Sequence, residues 1–281
     1  YPEREQRNVA RNTNIMVTFV EPMLVESLVS GAGTPDKADD QINAANIQVS
    51  RSADDPAKGP FIAARAAMSD DGRSIVIDPI DLLGSSEENT NYRISLGEGI
   101  MTAGGKGAFG SFGAYTWEFE VGTFVDIDPP RIESVFPQSD STHPRNVVIQ
   151  INFNEAMNPL AVSGDTSRGF NTIAVRNQNG EVVAGRFSVS NQYRTAEFIT
   201  NDLCGTNSCG QDVFCLPGSA KFTVQLRAAS VSSQPTAAVF PYDGIIDAAG
   251  NSMDGNVDGS AQGSPADDFS WSFQTTNEID L

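Results

Sequence analysis

The pentapeptide Phe-x-Glu-x-Met occurs twice in this chain, and the repeat constrains the fold more than any other feature. The first copy is Phe19–Met23 and the second is Phe153–Met157. Each copy ends a run in which apolar and polar residues alternate, at residues 15–19 and 147–153. Alternation with a period of two is typical of half-buried β-strands, so each motif marks the end of a strand. A repeat at this spacing predicts two copies of one domain.

Further alternating segments recur in the same order in both copies. Residues 91–96 and 115–121 have their counterparts at residues 221–226 and 269–275. Turn residues separate these segments, and almost no stretch has helical periodicity. Because short, regularly spaced strands of this kind are typical of β-sandwiches, we expect an all-β chain of two tandem Ig-like sandwiches.

The predicted boundary between the copies is the segment Asp126-Ile127-Asp128-Pro129-Pro130. Its two prolines lack backbone donors and restrict the chain, which is typical of a stiff linker. We therefore predict one sandwich at residues 1–125, an acidic linker at residues 126–130 and a second sandwich at residues 131–281. The second sandwich contains a cysteine-rich loop as an insertion.

The charge of the chain limits its partners. Its 281 residues carry a net charge of −18, which argues against nucleic acid, since nucleic-acid binding needs a basic surface. No apolar run approaches the roughly 20 residues of a transmembrane helix. The first seven residues are polar, so we expect any export signal to have been removed or to lie upstream.

Four motifs of the second copy together resemble the bacterial Ig-like domain of S-layer and other surface proteins. They are the motif Phe153–Met157, the strand Phe222–Leu226, the turn Asp247–Asn251 and the closing strand Trp271–Thr275. Each motif is short, but their order and duplication make the resemblance specific.

The first copy carries three of these four motifs, so the resemblance covers nearly the whole chain. They are Phe19–Met23, Tyr92–Leu96 and Trp117–Phe119. The first copy lacks the sequence Asp-x-Ala-Gly-Asn and has the glycine-rich stretch Gly99–Gly113 in its place.

The resemblance implies an extracellular, cell-surface location and a structural role in spacing, assembly or adhesion. The partners it implies are other copies of this chain or neighbouring surface-protein domains. It implies no catalytic chemistry. The alternatives are a carbohydrate- or surface-binding module, with polysaccharide as partner, and a non-catalytic part of a secreted hydrolase. Trp117 and Trp271 could stack on sugars, but their alternating flanks favour a place in the core.

Measuring back from the two motifs indicates that the first sandwich begins one strand late. Tyr1-Pro2 precedes the first motif by 18 residues, and Phe136-Pro137 precedes the second by 17. Only the second copy has a strand-like segment, Pro130–Val135, before that point. Either the chain is a fragment of a longer one, or a neighbouring subunit donates the strand to the open sheet edge. The donor candidate is Thr275–Leu281, in which Ile279 and Leu281 are apolar.

The three cysteines lie close together at Cys204, Cys209 and Cys215. They allow one disulfide and one free thiol, with three possible pairings. A zinc site would need a fourth ligand, and the only histidine, His143, is far away in sequence. We expect a local disulfide, which implies an oxidising compartment; reduced structural thiols are the alternative.

Calcium is the cofactor that the acidic residues favour, because it prefers several carboxylate and carbonyl oxygens. Asp126 and Asp128 in the linker could join loop acids at the domain junction. A second oxygen-rich run begins with Asp247 and Asn251 and continues with Asp254, Asn256 and Asp258. The run is similar to a calcium loop but lacks an acid at the twelfth position. The alternative is that these side chains cap their own backbone in Asx turns.

Enzyme motifs are missing from the sequence. His143 lies beside Pro144 with no nucleophile or acid placed near it, and neither a Gly-x-Ser-x-Gly elbow nor a phosphate-binding loop is present. The paired acids all lie in predicted turns, where solvated side chains are the norm. We therefore expect a protein that is not an enzyme.

Overall fold

The structure is a computed structural model that describes residues 1–31, 40–231 and 243–280. It is nearly all-β with several antiparallel sheets, as the alternating segments predicted. Leu281, one of the apolar residues of the predicted donor segment, lies outside the described residues. No helix in the ranges described is long and apolar enough to cross a membrane.

The chain divides into two compact units. The first unit comprises Tyr1–Ile127 together with Ala248–Gly250, and the second comprises Asp128–Asp247 and Asn251–Leu281. Each unit has its own cluster of buried apolar side chains. Each cluster therefore supplies the hydrophobic stabilisation of its own unit.

The first unit contains nine strands and one short α-helix among its described residues. In chain order they are β1 (Ile15–Thr18), α1 (Val25–Leu28), β2 (Val29–Ser30), β3 (Gln41–Ile42), β4 (Ile47–Asp55), β5 (Gly59–Phe61), β6 (Ala64–Met68), β7 (Ser74–Pro79), β8 (Thr90–Leu96) and β9 (Tyr115–Val121).

These strands form two sheets, with the strand orders β1-β7-β6-β3-β2 and β5-β4-β8-β9. Alternation along β8 and β9 directs their larger side chains to the core, since successive residues of a strand face opposite sides. Tyr92 lies opposite Phe119 and Ile94 opposite Trp117, and all four are buried. Burial of each such side chain contributes about 1.5–3 kcal/mol to stability.

The second unit contains eleven strands and one short α-helix in its described part. They are β10 (Ile132–Phe136), β11 (Thr142–His143), β12 (Ile149–Phe153), α2 (Pro159–Val162), β13 (Gly164–Asp165), β14 (Ile173–Asn177), β15 (Gly185–Ser190), β16 (Thr195–Thr200), β17 (Leu203–Thr206), β18 (Asp212–Phe214), β19 (Lys221–Leu226) and β20 (Phe269–Thr275).

Its two main sheets have the orders β10-β12-β16-β15-β13 and β11-β20-β19-β14, and β17 and β18 form a separate hairpin. The core again comes from alternating residues of neighbouring strands. Phe222 of β19 lies opposite Phe273 of β20, and Val224 lies opposite Trp271. The pairing of β19 with β20 thus repeats that of β8 with β9.

The two units differ at one sheet edge. In the second unit β10 pairs with β12, and Phe136 lies opposite Gln150. In the first unit β1, which corresponds to β12, is at the edge of its sheet within the described residues. There Tyr1 exchanges two hydrogen bonds with Met16, at 2.6 and 2.7 Å. Tyr1 thus lies beside Met16 in the first unit as Phe136 of β10 lies beside Gln150 of β12 in the second.

Candidate metal centre

Both copies of the motif end on a buried methionine that pairs with a distant turn. Met23 forms an antiparallel bridge with Thr102, and Met157 forms one with Asp247. The exposed fraction is 4% for Met23 and 0% for Met157. In the second unit this bridge places the Asp247 turn beside the strand-end motif.

The turn from Asp247 to Asn251 is held by three hydrogen bonds between its two end residues. The Asp247 amide donates to the Asn251 carbonyl at 3.1 Å. The Asn251 amide donates to Asp247 Oδ1 at 2.8 Å, and Asn251 Nδ2 donates to Asp247 Oδ2 at 2.9 Å. Both residues are almost completely buried. The Asp247 carboxylate is therefore fixed in position, as an Asx-type turn requires.

The first unit contains the same turn, which the sequence comparison missed. The Thr102 amide donates to the Lys106 carbonyl at 2.8 Å, and the Lys106 amide donates to Thr102 Oγ1 at 3.2 Å. The stretch Gly99–Gly113 thus contains a turn equivalent to Asp247–Asn251, because a threonine hydroxyl accepts the same backbone hydrogen bond as an aspartate. Thr102 and Lys106 supply no carboxylate, however, so the acidic character belongs to the second copy.

Glu155 of the motif lies close to the fixed carboxylate. Glu155 and Asp247 each offer a carboxylate oxygen, and these two atoms lie within 4.8 Å of one another. Oxygens bound to one Ca²⁺ at 2.3–2.6 Å are at most about 5 Å apart, so one cation could contact both. This acidic pair could therefore hold a metal ion. We call Glu155, Asp247 and Asn251 the acidic corner.

The two linker aspartates differ in their surroundings. Asp126 belongs to the first unit, where Asn12 binds its backbone on both sides. Asn12 Nδ2 donates to the Asp126 carbonyl at 2.8 Å, and the Asp126 amide donates to Asn12 Oδ1 at 2.9 Å. Asp128 belongs to the second unit and is exposed. The participation of either residue in metal binding stays a prediction.

The cysteine pairing, which the sequence left open, is Cys204 with Cys215. Their Cα atoms are 5.7 Å apart, and the bond links the strands of the β17–β18 hairpin region. Cys209 lies at the turn of this hairpin, is exposed and has a free thiol. The predicted local disulfide is thus present.

Both tryptophans are buried, as their alternating flanks predicted. The exposed fraction is 6% for Trp117 and 5% for Trp271. The Trp117 indole donates to the Pro2 carbonyl and the Trp271 indole donates to the Pro137 carbonyl, each at 2.9 Å. These rings present no open face to a sugar, which removes the residues on which the carbohydrate alternative depended.

The single histidine lies at a cavity of about 270 Å³ whose lining includes His143, Phe136 and Asp280. His143 Nε2 is 3.1 Å from Ser141 Oγ, but that hydroxyl donates to the Gln138 carbonyl. Its proton is therefore directed away from the imidazole. A serine nucleophile needs a histidine base that is itself oriented by an acid, and the described hydrogen bonds give His143 no such partner.

The comparison with known families bears on the first unit. The family model of the bacterial Ig-like domain matches residues 1–121. This match lies within the first unit and covers less than half of the chain. It confirms, over these residues, the resemblance that the motifs indicated. A search of curated proteins found no significant match to the chain.

Several solved structures are similar to the chain at low identity. The surface layer protein SbsC, domains 1–6, is 11% identical with a TM-score of 0.30, over 78% of this chain and 38% of that chain. The titin domains Z1Z2 in complex with telethonin are 8% identical with a TM-score of 0.24, over 99% of this chain and 95% of that chain. The human desmocollin-1 ectodomain is 9% identical with a TM-score of 0.23, over 100% of this chain and 42% of that chain. At these TM-scores the similarities carry no argument about function.

Proposed function

We propose that this chain is a structural segment of a bacterial cell-surface protein, exposed outside the cell, that acts in spacing and assembly. The observation that carries the proposal is the match of residues 1–121 to the bacterial Ig-like domain. The second copy repeats the motif and the buried indole–proline contact of the first. Tandem copies of one stable sandwich suit a spacer, because each copy has its own core.

Two further features support an extracellular setting. The chain has a disulfide between Cys204 and Cys215, and disulfides persist in oxidising compartments but are rare in the cytosol. The net charge of −18 favours solubility through a highly acidic surface. Neither feature suggests a chemical reaction, which agrees with the surroundings of His143.

We propose calcium as the ion that the acidic corner binds. Glu155 and Asp247 supply carboxylate oxygens that one ion can bridge, and each ionised oxygen can accept more than one contact. A calcium ion there would neutralise two neighbouring negative charges and join the strand-end motif to the distant turn. The ion would therefore add to the stability of the second unit.

Within this structural role, we propose that copies of the chain assemble through the sheet edge at β1. An edge strand presents a row of backbone groups that can pair with another chain. In the second unit β10 occupies the equivalent position beside β12. A strand from a second copy of this chain would extend the first sheet in the same way. Such a head-to-tail contact builds filaments, because it need not close into a ring.

Electron microscopy and analytical ultracentrifugation of the purified chain test this assembly. We expect filaments or concentration-dependent oligomers. A synthetic peptide that copies residues 131–137 should compete for the β1 edge and shorten the filaments, whereas a peptide of the same composition in scrambled order should not. A chain that stays monomeric at every concentration would contradict assembly by strand donation.

The surface location is tested separately on intact source cells. An antibody raised against the purified chain should label unpermeabilised cells, and external protease should remove the labelling. Labelling that appears only after permeabilisation would contradict the proposed location, whatever the assembly measurements give.

A further inference from the structure

The second unit contains a loop that is longer than its counterpart in the first. From Ser252 to Trp271 the chain advances 19 residues, whereas from the equivalent Gly107 to Trp117 it advances 10. The extra nine residues lie in the segment 254–268, which we call the acidic loop. Its acidic and amide side chains are Asp254, Asn256, Asp258, Gln262, Asp267 and Asp268. The shorter loop of the first unit has no acid between Gly107 and Tyr115.

The start of the acidic loop curls around the carboxylate of Asp254. Asp254 Oδ1 accepts from the Asp258 amide at 3.2 Å, and Asp254 Oδ2 accepts from the Gly259 amide at 2.8 Å. Gly259 has a φ of +92°, a conformation that glycine adopts without strain. Asn256 Oδ1 also accepts from the Asp258 amide, at 2.9 Å. Oxygen-bearing side chains thus recur at every second residue along a tight turn.

The end of the loop brings a fully buried carboxylate to this turn. The exposed fraction of Asp267 is 0%, and Gly255 packs so closely against the Asp267 carbonyl that a Cβ would not fit there. Asp267 Oδ2 accepts from the amides of Gln262 and Gly263. Asp267 Oδ1 is buried and has no hydrogen-bond partner. A buried charged oxygen without a partner is costly, which points to a ligand that the protein alone does not supply.

The charge around Asp267 identifies the kind of ligand. Asp254 accepts a hydrogen bond from the Asp258 amide, and Gly255, its neighbour in sequence, packs against Asp267, so the three acidic residues lie close together. Among the described residues, no lysine, arginine or histidine forms an ion pair with any of them. A cation would compensate this excess of negative charge.

We propose that the acidic loop binds one calcium ion through Asp254, Asn256, Asp258 and Asp267. In a helix-flanked calcium loop, ligands occur at positions 1, 3 and 5, with glycine at 6 and an acid at 12. Asp254, Asn256, Asp258 and Gly259 match the first four of these positions. Position 12 is Pro265, and the fold supplies Asp267 two residues later.

Calcium binding at the acidic loop requires one side chain to move. The Asp258 carboxylate now accepts from the amide and Oγ of Ser260, each at 3.0 Å, and from Gln262 Nε2 at 2.6 Å. Asp258 and Ser260 are exposed, and a side chain on the surface changes rotamer readily. Rotation of Asp258 towards Asp267 would complete a set of three carboxylates and one amide oxygen. Calcium tolerates such an irregular set better than magnesium, which demands a nearly octahedral one.

Calcium titration of the full chain by isothermal calorimetry, after removal of bound metal with a chelator, tests this site. We expect Asp267→Asn and Asp254→Asn each to remove one equivalent of binding or to weaken it about tenfold or more, because affinity follows the number of charged ligands. Asp212→Asn, an exposed acid in the β17–β18 hairpin of the same unit, is the control and should leave the titration unchanged.

The variant Glu155→Gln distinguishes calcium binding at the acidic corner from binding at the acidic loop. It should leave binding at the acidic loop intact. Circular dichroism establishes that Asp267→Asn is folded, and Asp258→Asn serves as the second variant if it is not. Binding that is the same in the wild type, Asp267→Asn and Asp254→Asn would overturn the proposal. A wild type that binds no calcium would also overturn it.

Discussion

The indole Nε1 of Trp271 donates a hydrogen bond to the carbonyl of Pro137 at 2.9 Å. The bond joins the last strand of the second unit to the segment that follows β10. The first unit repeats it between Trp117 and Pro2 at the same distance. In both units the proline and the tryptophan are buried, so this bond anchors the start of each sandwich to its closing strand.

Replacing Trp271 with phenylalanine should destabilise the second unit by about 1–3 kcal/mol, because the Pro137 carbonyl would stay buried without its donor. Trp117→Phe should destabilise the first unit by a similar amount, since the geometry is the same. Urea unfolding followed by circular dichroism measures both effects. Tyr115→Phe alters an exposed ring next to Trp117 and is the matched control. Unfolding midpoints equal to that of the wild type would show that the indole donors add nothing.

The cysteine pattern predicts a defined result in alkylation. Before reduction, iodoacetamide should modify one site, because Cys209 is exposed and free while Cys204 and Cys215 are bonded. After unfolding and reduction it should modify three. Mass spectrometry counts the additions, and the variant Cys209→Ser should give none before reduction and two after it. Modification of two or three sites in the unreduced native protein would contradict the pairing.

Calcium binding at the acidic corner predicts a difference between the two copies of the motif. Glu155→Gln should reduce the rise in melting temperature that calcium produces, because it removes one of the two close carboxylates. Glu21→Gln changes the equivalent residue of the first copy, where the paired turn has Thr102 and Lys106 instead of acids. It should leave the calcium response unchanged, which makes it the matched control.

Differential scanning calorimetry with calcium and with chelator measures this response. The contribution of the acidic loop is kept constant by comparing both variants in the Asp267→Asn background. Equal calcium responses of Glu155→Gln and Glu21→Gln would exclude the acidic corner as a binding site.

Much of the fold could be predicted from local sequence. The period of two in β8, β9, β19 and β20 predicted strands with one face in the core, and the burial of Trp117 and Trp271 followed from it. The repeated motif predicted that the two halves share one arrangement. It also predicted that Tyr1-Pro2 and Phe136-Pro137 are equivalent, and the two indole bonds to Pro2 and Pro137 agree with this.

The turn between Thr102 and Lys106 shows where residue identity failed as a guide. The turn depends on a side-chain oxygen that accepts a backbone hydrogen bond, and threonine and aspartate both provide one. A comparison that required aspartate therefore missed the counterpart of Asp247–Asn251. The bridge from Met23 to Thr102 reveals it, because a β-bridge depends on the backbone.

The sequence by itself determined the repeat of one domain, the strands, the net negative charge and the presence of enough cysteines for one local disulfide. Only the tertiary structure decided which cysteines pair, that Glu155 meets Asp247, and that Asp267 closes the loop begun by Asp254. The physical reason is that strand periodicity is a local property of the chain, whereas the meeting of two side chains depends on strand pairing and loop closure between residues far apart in sequence.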